Sequence, residues 1–447
     1  MNYPETSFLV SFFTNLNVAG IRYAVMRNSE TLPESLGGSD LDLLVEDDNA
    51  AQGIIDIAKR VAVENGGAMT VLYRTGAIVV CLAGNGSAGW WGCHIDVFVG
   101  LKYYGLPYVD AYCLMGNRVL EKGVFYRLGD ETDVVSFVKE ILYTGRTRKD
   151  YYPRAREYFK NHHTIVENLF SRFYGEDGWQ LLKAILSDEH DAIALKNSSS
   201  VLARSMSKAG MRMYSPVCLL KVKAVNLMDR LSRLFRRPGF SVAFLGTDGS
   251  GKSTLIEHVK GPMEQMLHSK VHYEHLRPNL IPSLARLAGK PQREGPTTDP
   301  HGGKVSGWLF SLVRFTYYYI DYVVGYWAKI YPILVKRPSM VIFDRYYYEY
   351  MIDPRRCAVK LPRGWARFWS WFIPRPDLIL CLGGEPEKIY ARKPETSLEE
   401  VRRQVDVLQK FCNSNSRAVW IDTTASIHES VDVALTAVIE RMAERYK

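Results

Sequence analysis

The chain has 447 residues, of which 47% are hydrophobic and 23% are charged, and this length predicts two globular domains. Its net charge of +9 comes almost entirely from residues 201–239, where nine Lys or Arg stand against one acid, Asp229, and contribute +8. The flanking domains are therefore close to neutral, and no nucleic-acid partner is expected. Seven cysteines without a CxxC pair, and an N-terminus without a basic region or a cleavage site, predict a reduced protein of the cytoplasm.

Residues 1–130 predict a first domain in which helices and strands alternate. The predicted helices and strands of this domain are Thr6–Val18, Ile21–Met26 (strand), Leu41–Val45 (strand), Asn49–Asn65, Met69–Tyr73 (strand), Ala77–Leu82 (strand) and Cys93–Phe98 (strand). Residues 131–203 predict a helical extension, with a loop at 197–200 where the sequence reads NSSS.

Residues 204–238 predict a basic linker whose main element is an amphipathic helix over 216–237. Apolar residues lie on one face of this helix and basic residues on the other. Such a helix could make a peripheral contact with an anionic membrane surface. An apolar stripe is more typical of a helix that packs against its neighbours, and packing is the favoured interpretation.

Residues 239–447 predict a second domain, in which strands and helices alternate as they do in a parallel sheet with helices on both faces. The strands are predicted at Phe240–Leu245, Lys270–His275, Met340–Phe343, Leu378–Leu382 and Ala418–Ile421. The helices are predicted at Lys252–Leu267, Trp308–Val335, Gly364–Phe372, Leu398–Cys412 and Ile427–Tyr446. Segment 284–306, rich in Gly, Pro and charged residues, predicts a mobile loop.

A phosphate-binding loop is predicted between the first strand and the first helix of this second domain. Residues 244–254 read FLGTDGSGKST and contain the pattern GxxxxGK[ST], whose glycines let backbone N–H groups turn toward phosphate oxygens. Lys252 would neutralise the β and γ phosphates of ATP, and Ser253 would hold Mg²⁺. The predicted ATP-binding residues are Gly246, Asp248, Gly249, Ser250, Gly251, Lys252, Ser253 and Thr254.

Charged residues at two later points suit a phosphotransfer. Asp344 and Arg345 follow the strand MVIF and would emerge at the carboxyl end of the sheet, where ligands bind in open α/β folds. Asp344 could order Mg²⁺, and Arg345 could bind a phosphate of the acceptor. Arg392 and Lys393, in the segment YARKPE, could close over the transferring group, although a solvated loop explains them equally well. The predicted catalytic residues are Lys252, Asp344, Arg345 and Arg392.

Over residues 239–447 these motifs resemble the thymidylate kinase family of nucleoside-monophosphate kinases. The resemblance implies a P-loop NTPase fold in which Asp248 orients the acceptor, Arg345 contacts the acceptor phosphate and Arg392 assists the transfer. It also implies that Arg277, in the segment HLRP, belongs to a second acceptor-binding motif. Members of the family carry Arg-Glu-Pro-Gly there, so the chain looks like a divergent branch, often encoded with bacterial surface-polysaccharide genes.

Three acids of the first domain predict a divalent-cation site. Asp40 and Asp42 stand two residues apart and point the same way, and Asp96 lies in the apolar strand Cys93–Phe98. Like charges this close favour a cation between them, and three carboxylates can hold two Mg²⁺ for nucleotidyl transfer. Over residues 7–105 the pattern resembles the polymerase-β-like nucleotidyltransferase superfamily, which implies an α+β fold. Asn28-Ser29 stands where that superfamily has Gly-Ser, and both an active enzyme and an inactive binding module are compatible with the residues.

The sequence therefore predicts a phosphotransferase that uses ATP and Mg²⁺, fused to a nucleotidyltransferase-like domain. Its acceptor is expected to be a small molecule, either a nucleoside monophosphate or a sugar or polysaccharide-pathway metabolite. Authentic dTMP kinase activity is the alternative within the same chemistry, and a nucleotide-dependent scaffold or switch at a membrane surface is the alternative from another class. Assembly into a homodimer is compatible with the sequence.

Overall fold

Two separate sheets organise the chain in its computed structural model, which describes residues 3–86, 89–146, 151–187, 192–284 and 307–445. The chain divides into two units, Met1–Ser232 and Arg233–Lys447, each built on its own sheet. Residues 285–306, most of the predicted mobile loop, lie outside the described residues.

The first unit contains a mixed sheet of seven strands in its described part. The strands, with the short pair β6 and β7 that forms a sheet of its own, are β1 (Tyr23–Val25), β2 (Leu41–Val45), β3 (Gly67–Arg74), β4 (Ala77–Gly86), β5 (Gly89–Val99), β6 (Lys102–Tyr103), β7 (Leu106–Pro107), β8 (Val119–Glu121) and β9 (Phe125–Arg127). The sheet order is β3-β4-β5-β2-β1-β9-β8, and β2 runs parallel to β5 with Asp42 opposite Asp96. All five residues of β2 are buried, as expected for a strand covered on both faces.

Helices cover both faces of this first sheet. They are α1 (Thr6–Val18), α2 (Asp48–Glu64), α3 (Ala111–Gly116), α4 (Thr132–Thr144), α5 (Tyr151–Asn161), α6 (His163–Ser187) and α7 (Ala192–Met213). A further helix, α8 (Pro216–Phe235), follows them in the chain and does not join either core. Leu41, Leu43 and Val45 join the core under α1 and α2, whereas Leu44 joins the core of α3 to α7. This alternation follows the two-residue period of a strand, and it puts Asp42 on the same side of β2 as Leu44.

The predicted loop at 197–200 is wrong, because α7 runs through it without a break. Leu195, Leu202 and Met206 of this helix are buried in the core of α3 to α7. Burial of that apolar face outweighs the weak helix propensity of the serine run. The Ser200 hydroxyl donates back to Asn197 O at 3.1 Å, a local bond that a serine makes within a helix.

The prediction that the linker helix buries its apolar stripe against its neighbours is also wrong. α8, which the structure describes over its full length, buries none of its residues. It contacts the β6–β7 turn through Asn226, whose Nδ2 donates to Tyr104 O at 2.8 Å. The apolar stripe of α8 is therefore exposed rather than part of a core.

The second unit confirms the predicted parallel sheet, with five strands in its described part and helices flanking them. The strands are β10 (Phe240–Gly246), β11 (His272–His275), β12 (Met340–Asp344), β13 (Leu378–Gly383) and β14 (Ala418–Asp422). They lie in the order β11-β12-β10-β13-β14, so β10 is central. Every residue of β10, β12 and β13 is buried, which explains their nearly continuous apolar sequences. This architecture is compatible with a P-loop-type fold.

The helices of the second unit surround this sheet. They are α9 (Lys252–Leu267), α10 (Trp308–Ile320), α11 (Tyr331–Lys336), α12 (Glu349–Ile352), α13 (Arg363–Trp369), α14 (Pro386–Arg392), α15 (Leu398–Asn413) and α16 (Ile427–Arg445). The single helix predicted over 308–335 consists of α10, a π-helical segment Asp321–Ile330 and α11. Tyr322 and Tyr326 of the π-helical segment are buried in the core. Across the described ranges, no helix combines the length and the hydropathy that a membrane span requires.

Candidate functional site

The phosphate loop connects the central strand β10 to α9, and its glycines have specific structural roles. Gly249 and Gly251 adopt positive φ angles of 81° and 77°, which glycine tolerates without strain. Gly246 is closely approached, because a Cβ at this position would lie 2.8 Å from Leu382 O of β13. The first turn of α9 leaves backbone N–H groups without helical partners, and this end of a helix attracts anions. Ser253 lies exposed in that turn, as does Thr254.

Lys252 is held inside the loop by backbone carbonyl groups. Its side chain is buried, and its Nζ donates to Gly246 O and Thr247 O, both at 2.8 Å. Burial, aided by the nearby charge of Arg345, lowers the pKa of Lys252 from 10.5 to about 7. The hydroxyls of Thr247 and Ser250 are buried and have no hydrogen-bond partner among the described residues. The loop therefore has an ammonium group and two hydroxyls available for an anion.

Asp344 ends β12, next to the central strand, where Phe244 is its pairing partner. Its Oδ2 accepts from the Tyr273 hydroxyl at 2.7 Å and lies 3.5 Å from His275 Nδ1. Burial raises the pKa of Asp344, but the His275 and Tyr273 interactions outweigh it and hold this pKa well below its usual range. Its Oδ1 is buried without a partner in the described part of the chain. A charged carboxylate with an unpaired buried oxygen is a suitable ligand for Mg²⁺. The exposed hydroxyl of Ser253 is a second suitable ligand.

Arg345 and Arg356 enclose Asp248 of the phosphate loop. Arg345 Nη2 lies 2.8 Å from Asp248 Oδ1, and Arg356 Nη2 lies 2.7 Å from Asp248 Oδ2. Burial raises the pKa of Asp248, but these two guanidinium groups lower it to about 2. Arg345 is also paired with Glu349, with Nη1 3.0 Å from Oε2. The Arg345 side chain is only 6% exposed, whereas that of Arg356 is 20% exposed, so Arg356 is the more accessible of the two cations.

Sequence reasoning missed Arg356 and Glu349 as parts of this site. Both lie in the run YYYEYMIDPRR that directly follows Asp344-Arg345. The signal was present, since the run contains charged residues close to a predicted strand end. Nothing local showed that the chain turns back there and reaches Asp248.

The segment that carries Arg392 lies close to the phosphate loop. Arg392 is the last residue of α14, is exposed, and has no hydrogen-bond or ion-pair partner among the described residues. A Cβ added at Gly249 would lie 2.7 Å from Ile389 O and 3.1 Å from Lys393 Cβ. Lys393 itself pairs with Glu395, with Nζ 3.0 Å from Oε1. The segment thus contacts the loop through its backbone and leaves the Arg392 guanidinium free.

Arg277 is engaged elsewhere in the second unit. Its Nη1 lies 2.6 Å from Oδ2 of Asp321, which is fully buried at the start of the π-helical segment. Asp321 also accepts from the backbone N–H groups of Asn279, Leu280 and Ile281. In this arrangement Arg277 fixes the loop after β11 to the π-helical segment. Its role in binding an acceptor stays a prediction.

In the first unit, Asp40, Asp42 and Asp96 come together as the sequence predicted. One carboxylate oxygen from each lies within 4.8 Å of the others. Asp42 is almost fully buried, and its Oδ1 has no hydrogen-bond partner among the described residues. Burial raises the pKa of Asp42, while the charge of Arg27 opposes this rise. A carboxylate with an unpaired buried oxygen and two acidic neighbours is a suitable binding site for a divalent cation.

Arg27 and His94, which sequence reasoning missed, lie beside this acidic cluster. Arg27 Nε donates to Asp42 Oδ2, and its Nη2 lies 3.8 Å from Asp40 Oδ2. His94 Nε2 lies 3.3 Å from Asp96 Oδ1. Burial raises the pKa of Asp96, but the hydrogen bond and charge of His94 outweigh it and the pKa is lowered. Arg27 and His94 thus stand beside three acids, and the Oδ1 of Asp42 stays without a partner among the described residues.

No protein-family model matches the chain, and no curated protein matches it. The chemistry of both sites is therefore inferred from their motifs and geometry.

Proposed function

We propose that the second unit is a phosphotransferase of the thymidylate kinase-like type that uses ATP and Mg²⁺. One observation carries the proposal: a glycine loop between the central strand and a helix holds a buried Lys252, and the neighbouring strand ends in Asp344 with an unpaired oxygen. An anion and a divalent cation are the ligands that these two groups fit. The acceptor is a small molecule, either a nucleoside monophosphate or a sugar or polysaccharide-pathway metabolite.

Bound Mg-ATP would supply the phosphoryl group and the charge of the metal. Lys252 would exchange the carbonyl oxygens of Gly246 and Thr247 for phosphate oxygens, and the phosphates would favour its protonated form. Ser253 and Asp344 would hold the cation. Arg392, free at the end of α14, would add positive charge as the transition state forms.

Asp248 and its two arginines would form the acceptor side of the site. Asp248 stays ionised and neutralises part of the charge of Arg345 and Arg356. A phosphate of the acceptor would compete with Asp248 for these guanidinium groups, and the more exposed Arg356 would meet it first. A phosphorylated acceptor is therefore favoured over a neutral sugar.

The test is a screen of acceptors with purified protein and Mg-ATP. The panel contains dTMP, other nucleoside monophosphates, sugars and sugar phosphates, and mass spectrometry identifies each product. We expect one phosphorylated product in amounts equal to ADP, lost in Lys252→Ala and retained in Lys260→Ala, a matched lysine on the same helix that pairs with Glu257. Formation of dTDP from dTMP would identify a dTMP kinase. ADP and inorganic phosphate without any phosphorylated acceptor would contradict the proposal and favour the nucleotide-dependent switch.

A second function, nucleotidyl transfer in the first unit, is favoured by the unpaired Oδ1 of Asp42 next to Asp40 and Asp96. We propose that these three acids bind Mg²⁺ for this reaction, in which an oxygen of an acceptor attacks the α-phosphorus of a nucleoside triphosphate, receives the nucleotidyl group and displaces pyrophosphate. Mn²⁺ binding, followed by electron paramagnetic resonance, should weaken in Asp42→Asn. The control is Asp56→Asn, at an α2 carboxylate that accepts from Gln52. Equal Mn²⁺ binding by both variants, or no pyrophosphate release with any nucleotide, would contradict it.

A further inference from the structure

The exposed apolar face of α8 is an unpartnered surface of the molecule. At 100° per residue, Val217, Leu220, Leu227, Met228 and Leu231 fall within one arc of this helix. Each of these side chains is between 48% and 74% exposed. Leu234 and Phe235 extend the arc to the end of the helix and are exposed as well. An aliphatic face of this length is unusual on a protein surface that has no partner.

The opposite side of α8 holds the helix in place. Asn226 donates to Tyr104 O at 2.8 Å, and the Arg230 guanidinium carbon lies 5.4 Å from the centre of the Tyr104 ring. A Cβ added at Gly105 would lie 2.5 Å from Val222 Cγ1, which shows how closely the helix approaches this turn. These contacts attach α8 by the side that carries Val222, Asn226 and Arg230, so that most of its apolar arc points away from them.

The charges around the apolar arc are almost all positive. Lys221 follows one edge of the arc on the helical wheel, and Lys223 lies along the other edge. Asp229 is the single acid among the residues of 201–239, and it lies on the side away from the arc. Long basic side chains at the borders of an apolar face can extend to headgroup phosphates while the face enters the lipid.

We propose that α8 docks the protein on the surface of an anionic lipid bilayer, with its axis in the plane of the membrane. Its apolar arc would enter the boundary between headgroups and acyl chains, and its basic edges would bind anionic headgroups. A second copy of the chain is a poorer occupant of the arc, because two such helices would bring their lysine edges together. Charge complementarity therefore selects an anionic lipid surface.

The proposal does not depend on phosphotransfer in the second unit. A Lys252→Ala variant should bind lipid vesicles as the unaltered protein does, even if it has lost all nucleotide chemistry. Failure of either proposal can thus be recognised without the other.

The experiment is co-sedimentation of the full chain with vesicles. Vesicles of phosphatidylcholine and phosphatidylserine should bind the protein, vesicles of phosphatidylcholine alone should bind it at least about tenfold more weakly, and added salt should weaken binding. The double variant Leu220→Glu with Leu231→Glu should lose at least about tenfold in binding, because it places charge where the lipid needs apolar groups. Val18→Glu with Val63→Glu, at exposed aliphatic residues of α1 and α2, is the matched control and should bind normally.

Three results would overturn the proposal. The first is equal binding to both kinds of vesicle or no binding to either. The second is normal binding by the Leu220→Glu and Leu231→Glu variant, with its fold verified by circular dichroism. The third is a dimer in sedimentation equilibrium that this variant converts to a monomer, which would assign the arc to a second copy. Lys221→Gln with Lys223→Gln provides a separate check, because it leaves the apolar arc intact and should reduce the preference for anionic vesicles.

Discussion

The two units each place a buried carboxylate on a parallel strand pair, yet the two acids respond in opposite ways. The pKa of Asp42 on β2 is raised, because burial dominates over the charge of Arg27 and other acids lie nearby. The pKa of Asp344 on β12 is lowered despite burial, because His275 and Tyr273 interact with it. Near Asp344 the phosphate loop adds Lys252, whereas near Asp42 the chain adds Asp40 and Asp96. The acidic cluster around Asp42 therefore favours a cation alone, and the site around Asp344 and Lys252 favours a cation together with an anion.

The largest expected effect is a difference in the rate of ADP formation between variants of these two acids. Asp344→Asn should lower the rate of ADP formation by about a hundredfold or more, because it removes charge where metal and phosphate meet. Asp42→Asn should change this rate by less than about twofold, because the two acids belong to independent units. Steady-state kinetics with the best acceptor measures both. A comparable loss in Asp42→Asn would mean that the two sites do not work separately.

Next in size is a stability effect in the first unit. Arg27→Met leaves the buried Asp42 without its compensating charge and should lower the local free energy of unfolding by about 3 kcal/mol. Hydrogen–deuterium exchange of β2 and β5 measures this loss. Arg22→Met, which breaks an ion pair between Glu46 and an Arg22 side chain that is 47% exposed, is the control and should cost less than about 1 kcal/mol. Equal effects of the two substitutions would show that Arg27 does not compensate Asp42.

The lowered pKa of Lys252 predicts that nucleotide binding depends on pH. Below about pH 7 the lysine is already protonated, so the pH should matter little there. Above about pH 7 the empty site loses the proton, binding must take one up, and the affinity for ATP should fall by up to about tenfold per pH unit. Isothermal titration calorimetry in buffers of different ionisation enthalpy detects the proton uptake. A constant affinity from neutral to alkaline pH would contradict the burial of this ammonium group.

The smallest effect compares two glycines of the phosphate loop. Alanine at either Gly249 or Gly251 is strained by a positive φ, but only at Gly249 would the Cβ also lie 2.7 Å from a backbone oxygen, that of Ile389. A Cβ at Gly251 would meet no atom within 4 Å. Gly249→Ala should therefore lower the stability of the nucleotide-free protein by about 1 kcal/mol more than Gly251→Ala. Thermal unfolding of the two variants measures the difference in stability. Equal unfolding midpoints would contradict a close contact between Gly249 and the segment that carries Arg392.

Sequence-based prediction succeeded where the signal is local. The bounds of α1, β2 and α9 agree residue for residue with the predicted Thr6–Val18, Leu41–Val45 and Lys252–Leu267. The parallel sheet followed from alternating strands and helices, and the meeting of Asp42 with Asp96 followed from placing the two acids on adjacent strands. In each case a short stretch of chain carries the periodicity or the turn chemistry that determines the structure.

Prediction failed where distant residues decide the outcome. Arg277 pairs with Asp321, which is 44 residues away in the sequence, and Arg356 pairs with Asp248, which is 108 residues away. No periodicity reveals such ion pairs, so Arg356 was overlooked and the pairing of Arg277 with Asp321 was not predicted. The exposed arc of α8 was not predicted for a different reason. A helix that packs against a core and a helix that binds at a surface have the same amphipathic sequence pattern.

The fate of a radioactive label on the γ-phosphorus of ATP shows whether the second unit transfers a phosphoryl group. The protein is incubated with labelled Mg-ATP and the acceptor panel, and the labelled products are separated by chromatography. We expect that the label moves to an acceptor, that ADP forms in equal amount, and that Lys252→Ala abolishes both while Lys260→Ala does not. Label found only in pyrophosphate or inorganic phosphate, or transfer that persists in Lys252→Ala, would contradict phosphotransfer at the loop between β10 and α9.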